Sequence, residues 1–421
     1  MFQPNLFFTK DLNSDYLKKI ESIFSLMPTA DKYPPMGRPP HPRSAMLNAL
    51  IFKNLRGIPN LTELTREIRL YPALAQVCGF KSFPSKERFS SFLRDTPNQF
   101  FQSIRENLVK ELFGLKEISG KYISTDSCPI ISPLKQNNLK TNVPNRFNKN
   151  LPPKGDPESG LGVYVTFAKE KKIQYFWGYK NHILNDAISE LPIMEITKQA
   201  NIQDSRLFIP QFQSLKELLL IKIKAVIADS AFDSYPIIEF IAKELKAKPV
   251  IARNPRGERN PEFKLSPKNI PVCIAGLEMT NWGKYLYKKR NCIRQKFVCP
   301  IKASKRFAKK TGFCPWNHPN FFNNRFGCVV NLRIDVDTSI RNSIDYNSKT
   351  FKKLYALRTS SERIFSRFLT FCMQHPSVKG FNANSNLCTI AHITLLTLAL
   401  SAVKTGRKDK IRFIKRLIPH F

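Results

Sequence analysis

The sequence is short of acid. Its 421 residues hold 32 Asp plus Glu against 68 Lys plus Arg, a formal net charge of +36. That excess excludes a neutral enzyme of small metabolites as the default and points to a polyanionic partner, of which nucleic acid is the commonest. Nothing reads as an export signal: Met1–Phe8 is apolar, but Lys10, Asp11 and Asp15 follow at once, with no cleavage site. No apolar run reaches the roughly 20 residues of a membrane span. The longest, Leu387–Val403, carries His392 and several threonines and is predicted to be a buried helix. Fixed-period repeats, low-complexity tracts and Cys-x-x-Cys pairs are absent. The nine cysteines are scattered, so thiols or metal ligands in a reducing, cytoplasmic setting are expected rather than disulfides. At 42% hydrophobic the chain can still bury a core, and its length suggests two or three domains.

Composition separates the chain into regions. Residues 1–117 read as a helical, DNA-binding domain with Pro-rich punctuation at Pro34–Pro42. Arg43–Arg56 puts Met46, Leu47, Leu50, Ile51 and Leu55 on one face before Gly57 ends the helix. Asn60 caps a second helix with Arg66 and Arg69 outward, and Ser85 begins a third. Residues 118–252 turn to strands: Tyr122–Ser127, a hairpin of Val163–Lys169 and Gln174–Leu184, then Leu191–Thr197. A helix over Ser205–Leu220, a short strand Ala225–Ala228, a helix Asp233–Leu245 and a strand Lys248–Ala252 follow. This order predicts an α/β fold, a mixed sheet flanked by helices. Residues 253–350 look like an irregular basic insertion. A helix over 352–371 and the apolar helix make up 351–403, and a basic tail, 404–421, closes the chain.

In so basic a chain, acids at strand ends stand out. Asp126 follows Tyr-Ile-Ser-Thr, Asp229 follows Val-Ile-Ala, and Tyr355, Arg358 and Glu362 share one helical face. Three carboxylates brought together would repel unless a hard divalent cation, Mg²⁺ or Mn²⁺, sat among them. Two such ions can activate an attacking oxygen and stabilise a leaving one on phosphorus. Taken singly, each acid is more often a turn, a cap or a surface ion pair, as Asp204 and Asp233 are expected to be.

The ordered set of motifs adds to this. Thr125-Asp126-Ser127, Gly155-Asp156-Pro157-Glu158, Gly178-Tyr179-Lys180-Asn181-His182, Thr197-x-x-Ala200-Asn201-x-x-Asp204, Ala228-Asp229-Ser230-Ala231-Phe232-Asp233 and Tyr355-x-x-Arg358-x-x-x-Glu362 occur in that order. Together they resemble the bacterial insertion-sequence transposases of the DDE type. The stretch from Gly37-Arg38-Pro39-Pro40 to Phe89-Ser90-Ser91-Phe92 is similar to their helical N-terminal domain. The resemblance, over roughly residues 37–400, implies an RNase H-like fold with Asp126, Asp229 and Glu362 as catalytic ligands of two Mg²⁺ or Mn²⁺ ions. It also implies cleavage of transposon ends and joining to target DNA, with Tyr355 and Arg358 near the DNA. Lys180 and His182 would lie near the active site or DNA, synapsis would make a homodimer, and the protein would associate with the nucleoid. The basic residue usual seven places after the glutamate is Leu369 here, with Arg367 at a different angle. The rival readings are a metal-dependent nuclease without strand transfer and a decayed DNA-binding protein.

The insertion holds Cys273, Cys292, Cys299, Cys314, Cys328 and His318. A zinc site of Cys292, Cys299, Cys314 and Cys328 (or His318) is conceivable, but the spacings are loose and buried thiols are the expectation. Its aromatics, interleaved with bases, suit either stacking on unpaired bases or a small core. Phe321 and Phe322 are assigned to the core, and Trp282 and Trp316 stay open. The tail is expected to add affinity without sequence choice, the N-terminal helices to recognise ends.

Overall fold

A computed structural model describes residues 14–26, 40–167, 171–254, 264–268, 270–335 and 339–412. Gly37-Arg38-Pro39 and the tail beyond Arg412 lie outside these. The described residues form two compact units. One comprises those of Met1–Asp229, Ala247–Val250 and Lys349–Phe421, the other those of Ser230–Lys246 and Ile251–Ser348.

In the first unit, helices α1 (Ser14–Phe24), α2 (Arg43–Leu55), α3 (Leu61–Leu70), α4 (Pro72–Cys78), α5 (Lys86–Asp95) and α6 (Asn98–Gly114) precede strands β1 (Tyr122–Ile131), β2 (Gly160–Phe167), β3 (Lys171–Asp186) and β4 (Leu191–Gln199). Then come α7 (Asp204–Leu218) and β5 (Ala225–Ala228). Asn60 caps α3 as expected, its Oδ1 accepting the Glu63 amide at 2.8 Å. α2 differs from expectation: Ala45, Ala49, Phe52, Lys53 and Asn54 are buried along with Met46, Leu47, Leu50 and Ile51, while Leu55 is only half-buried.

The second unit begins with α8 (Tyr235–Glu239), whose last turns relax into a π-helical stretch, Phe240–Glu244. β6 (Lys248–Ile251) joins the main sheet. The insertion is not irregular. It holds β7 (Lys264–Leu265), β8 (Pro271–Val272), β9 (Thr280–Tyr287), β10 (Cys292–Val298), short helices α9 (Pro300–Ala303), α10 (Lys305–Thr311) and α11 (Pro319–Asn323), β11 (Val329–Arg333) and α12 (Ser339–Asn342). β9, β10 and β11 form an antiparallel sheet in the order β11-β10-β9. Arg341 grips Asp233 with two hydrogen bonds, 2.6 and 2.7 Å. Phe321 is core, as expected, whereas Phe322 is 58% exposed.

The chain returns to the first unit with α13 (Lys349–Tyr355), α14 (Thr359–Thr370) and α15 (Phe381–Lys404). The predicted single helix over 352–371 is therefore broken by a 3₁₀ turn at Ala356–Arg358. The six-stranded sheet runs β2-β3-β1-β5-β6, with β4 also on β3. β3 is long enough to pair β2 with its first half, and β1 and β4 with its second. β1 and β5 are parallel. Side chains alternate across a strand, so Cys128, Ile130, Tyr179 and Ile183 share a face. That face packs on Ile364, Phe368, Cys388, Ala391 and Leu395 of α14 and α15.

α15 is the central post. It has the length and hydropathy of a membrane span, yet 83% of its apolar window is buried inside the protein, so the buried-helix reading holds. Several of its polar residues find partners on neighbouring elements. Asn386 Nδ2 donates to the Leu93 and Thr96 carbonyls, both at 2.8 Å, and Asn98 donates to Asn386 Oδ1 at 2.9 Å. Glu195 on β4 accepts from Thr389, from Asn181 on β3 and from Gln102 on α6. His392 meets Asn181 at 2.9 Å, and Asn54 on α2 donates to Thr394 at 3.0 Å. Residues 43–114 thus share their interior with the sheet and α15.

Candidate active site

β1 and β5 pair in parallel over Tyr122–Ser124 and Ala225–Ile227. A few residues on, Asp126 and Asp229 emerge beside each other, both half-buried. Burial lifts the Asp126 carboxyl to about 7. The Ser127 amide, 2.8 Å from Asp126 Oδ1, opposes this, the Asp229 charge adds to it, Arg358 opposes it and Asp204 adds again. A carboxylate lifted by burial and by a second carboxylate is one that a cation would stabilise.

Glu362 stands in the first turn of α14 and is 52% exposed in its side chain. Arg358, one turn earlier, donates to Glu362 Oε1 at 2.7 Å. The same guanidinium acts electrostatically on Asp126 and lies 5.9 Å from the Tyr355 ring. Tyr355 stacks on Phe351 at 5.8 Å, and its hydroxyl feels Arg358, Asp229 and Glu362. Five of the residues singled out from the sequence, Asp126, Asp229, Tyr355, Arg358 and Glu362, are therefore electrostatic neighbours. Asp126 and Asp229 fit the oxygen-donor chemistry of a hard divalent ion. Glu362, tied to Arg358, does not converge with them here. Among the described residues, no three His, Cys, Asp or Glu side chains are gathered as a metal-holding group.

Lys180 and His182 share a side of β3, as their spacing requires, but it is the side facing α7. Ser127 pairs with His182, and Pro129 with Lys180. Lys180 Nζ meets Asp204 Oδ1 at 3.1 Å, Ser127 donates to Asp204 Oδ2 at 3.1 Å, and His182 Nδ1 lies 3.6 Å from Asp204. His182 is 2% exposed. Burial pushes its imidazole down to about 4, with Asp204 opposing and Lys180 and Lys198 adding to the shift. Asp204, expected only as a cap, does open α7, and it also ties that helix to β1 and β3. Its role as a hub is a matter of sheet register, which spacing along the chain does not reveal.

The remaining residues separate. Arg66 and Arg69 project from α3, Arg66 beside Glu63 at 3.6 Å. Arg367 is held by Glu190 at 2.6 Å. Asp156 is 1% exposed and accepts from Tyr179 at 2.7 Å and Ser132 at 2.9 Å, while Glu158 accepts the Phe381 amide that opens α15. The Gly-Asp-Pro-Glu motif thus ties β3, through Asp156, to the start of α15, through Glu158. Cys299 and Cys314 lie in one apolar cluster of the insertion, and Cys273 and Cys328 pack against another. His318 Nδ1 accepts the Asn320 amide.

Two family profiles match the chain: a Transposase DDE domain over residues 162–397 and a Transposase domain (DUF772) over residues 8–95. The first span includes Asp229 and Glu362 and begins after Asp126. No curated protein matches the chain. Among solved structures it is similar to the piggyBac transposase in its synaptic complex with hairpin DNA. The identity is 13% and the TM-score 0.36, over 99% of this chain and 80% of that one. The mixed sheet with its parallel β1–β5 pair and flanking helices is RNase H-like, with a helical N-terminal region and an insertion before α14. More than half of the chain lies within the first profile, and the chain belongs to the DDE-domain transposases.

Proposed function

We propose that the protein is an active DNA transposase that binds transposon ends, cuts them and joins them to target DNA. The observation that carries this reading is that Asp126 and Asp229, just beyond the parallel strands, are electrostatic neighbours of Arg358, Tyr355 and Glu362. Asp126, Asp229 and Glu362 would hold Mg²⁺ or Mn²⁺, two ions in all. Such ions, when bound, activate an oxygen nucleophile and stabilise the leaving oxygen on phosphorus. For Glu362 to turn inward, its hydrogen bond from Arg358 must open. The freed guanidinium then has a forked donor set matched to a phosphate of the DNA. Tyr355 lines the same approach, and Arg66 and Arg69 on α3 are assigned to DNA at the transposon end. Lys180 and His182 are assigned instead to holding Asp204 and, through Ser127, the strand that carries Asp126. Synapsis of two ends calls for a homodimer.

The test is strand cleavage and strand transfer by the purified full chain on a duplex carrying the element's own end. Asp229→Asn keeps size and polarity but removes a charge. Cleavage is expected to fall by about a hundred- to a thousandfold, of the order seen when a catalytic electrostatic group is removed, with DNA affinity within about twofold. Near wild-type cleavage by Asp229→Asn in Mg²⁺ would refute the assignment. Cleavage without joining would favour the nuclease reading.

A further inference from the structure

The Ala228-Asp229-Ser230-Ala231-Phe232-Asp233 motif holds two carboxylates, and the reaction proposed above uses only the first. The cap position of α8 falls to Ser234, so capping does not account for Asp233. Its side chain is 1% exposed. Arg341 Nε donates to Oδ1 at 2.7 Å and Arg341 Nη2 to Oδ2 at 2.6 Å, while the Asn254 amide donates to Oδ2 at 2.8 Å. Asn254 is where the chain enters the insertion, and Arg341 is where it leaves. One buried carboxylate therefore closes the neck of the insertion. Asn254 also reaches back: its Nδ2 donates at 3.2 Å to the carbonyl of Ser230, the residue next to Asp229. The Asp233 amide donates to the same carbonyl at 3.3 Å. The Arg341 guanidinium lies 5.4 Å from the Tyr235 ring, and its side chain is 14% exposed.

We propose that Asp233 is a positioning residue for Asp229: clasped by Arg341 and Asn254, it fixes the turn that begins one residue after that carboxylate. A buried ion pair adds little stability, because desolvation offsets most of its attraction, and its best-attested use is to fix one arrangement among several. A neck needing only adhesion would be served by apolar side chains. The forked guanidinium matches one orientation of the carboxylate, and the Asn254 bonds extend that constraint to Ser230. All the clasping groups belong to the second unit, and the Asp229–Ser230 peptide bond carries their constraint to Asp229. The clasp rests on the reading of Asp229 as a metal ligand, and adds what holds that ligand in place.

The experiment compares the full wild-type chain with Arg341→Met, Arg341→Lys and a double variant, Asp233→Asn with Arg341→Met, in which neither charge of the pair remains. Mn²⁺ binding is read by electron paramagnetic resonance without DNA, and cleavage of end DNA gives kcat and KM. Arg341→Met should weaken Mn²⁺ binding and lower kcat, each by about ten- to a hundredfold, as loss of a group behind a metal ligand does, with KM for DNA within about twofold. Arg341→Lys, which keeps the charge and loses the fork, should fall in between. The double variant should keep the wild-type circular dichroism and be as slow as Arg341→Met. A folded double variant with wild-type Mn²⁺ affinity and kcat would overturn the clasp. So would a loss confined to KM, which would make Arg341 a DNA contact. Wild type that binds Mn²⁺ yet cuts no end DNA would sink the transposase reading, and the Mn²⁺ comparison would still decide the clasp.

Discussion

Leu93, in the last turn of α5, would give its carbonyl to the amide four residues on, but that residue is Pro97 and has no N–H. The donor comes from 293 residues away: Asn386 Nδ2, at 2.8 Å, which also reaches the Thr96 carbonyl at 2.8 Å. Asn386→Leu keeps the volume and removes all three of that side chain's hydrogen bonds. The Thr96 carbonyl keeps Asn382 as a donor, and the Asn98 amide keeps Thr389, so each loses only about 0.5–1 kcal/mol. The Leu93 carbonyl is left buried with no donor, at about 1–3 kcal/mol. The sum is about 2–5 kcal/mol, all within the first unit. The assay is urea unfolding read by tryptophan emission. Trp177 is 2% exposed in the first unit, whereas Trp282 and Trp316 are 51% and 64% exposed in the second. Loss of the blue-shifted emission therefore reports the first unit. A destabilisation under about 1 kcal/mol would show that α5 and α15 are not bound through this contact. It would also support residues 1–117 as a separable domain, whose deletion should then leave the sheet folded.

Three further outcomes are expected. Burial pushes the Lys53 ammonium down to about 8 from 10.5. The native state therefore binds this proton more weakly than the unfolded chain, and stability rises as pH climbs between those values. Lys53→Met should add about 1–3 kcal/mol at pH 7 and nothing above pH 10.5; an equal gain at both pH values in urea titrations would refute the cause. Lys404, Lys408 and Arg412 are paired with Glu111, Glu117 and Glu190 at 2.8, 2.6 and 3.3 Å. Replacing all three with Ala should change the log–log salt slope of DNA binding by less than about one, and a drop of two or three would mean they meet phosphates after all. Protein prepared without added metal should hold far less than one zinc per chain by elemental analysis and keep its fold in chelator; stoichiometric zinc would contradict the thiol reading of Cys292, Cys299, Cys314 and Cys328.

Local chemistry was legible where one segment decides it. Asn60 had to cap a helix, Ala-Val-Ile-Ala had to be a buried strand, and a hairpin from Val163 to Leu184 follows from its pattern. Register and face were not legible in the same way. Spacing put Lys180 and His182 on one side of a strand but could not say which helix covers that side, and the answer, α7 with Asp204, fixes their role. The insertion's Asn, Cys and Pro content reads as loop, yet β10 is held between two neighbours whose pairing is non-local, and so a sheet forms there. Lys404, Lys408 and Arg412 read as free positive charge until Glu111, Glu117 and Glu190 are seen to meet them.

The apolar helix shows why the rest stayed hidden. Its Asn386, Thr389, His392 and Thr394 look in the sequence like defects in a hydrophobic run, useful only to argue against a membrane span. Polar groups buried in a core must be satisfied. Four such residues on one post therefore demand partners, and here those partners are Leu93, Thr96 and Asn98, then Gln102 through Glu195, then Asn181 and Asn54. These partners are spread over α5, α6, β4, β3 and α2, so the polar positions of α15 help determine which elements share its core. Asn181, at the centre of that network, sits between Lys180 and His182 on β3 and pairs with Cys128, two residues beyond Asp126. This hydrogen-bonded spine thus fixes the strand beside Asp126 from one face while Asp204 fixes it from the other. The position of that carboxylate is set by buried hydrogen bonds on both sides of the sheet, and the long side chains of Arg358 and Glu362 are what remain to move.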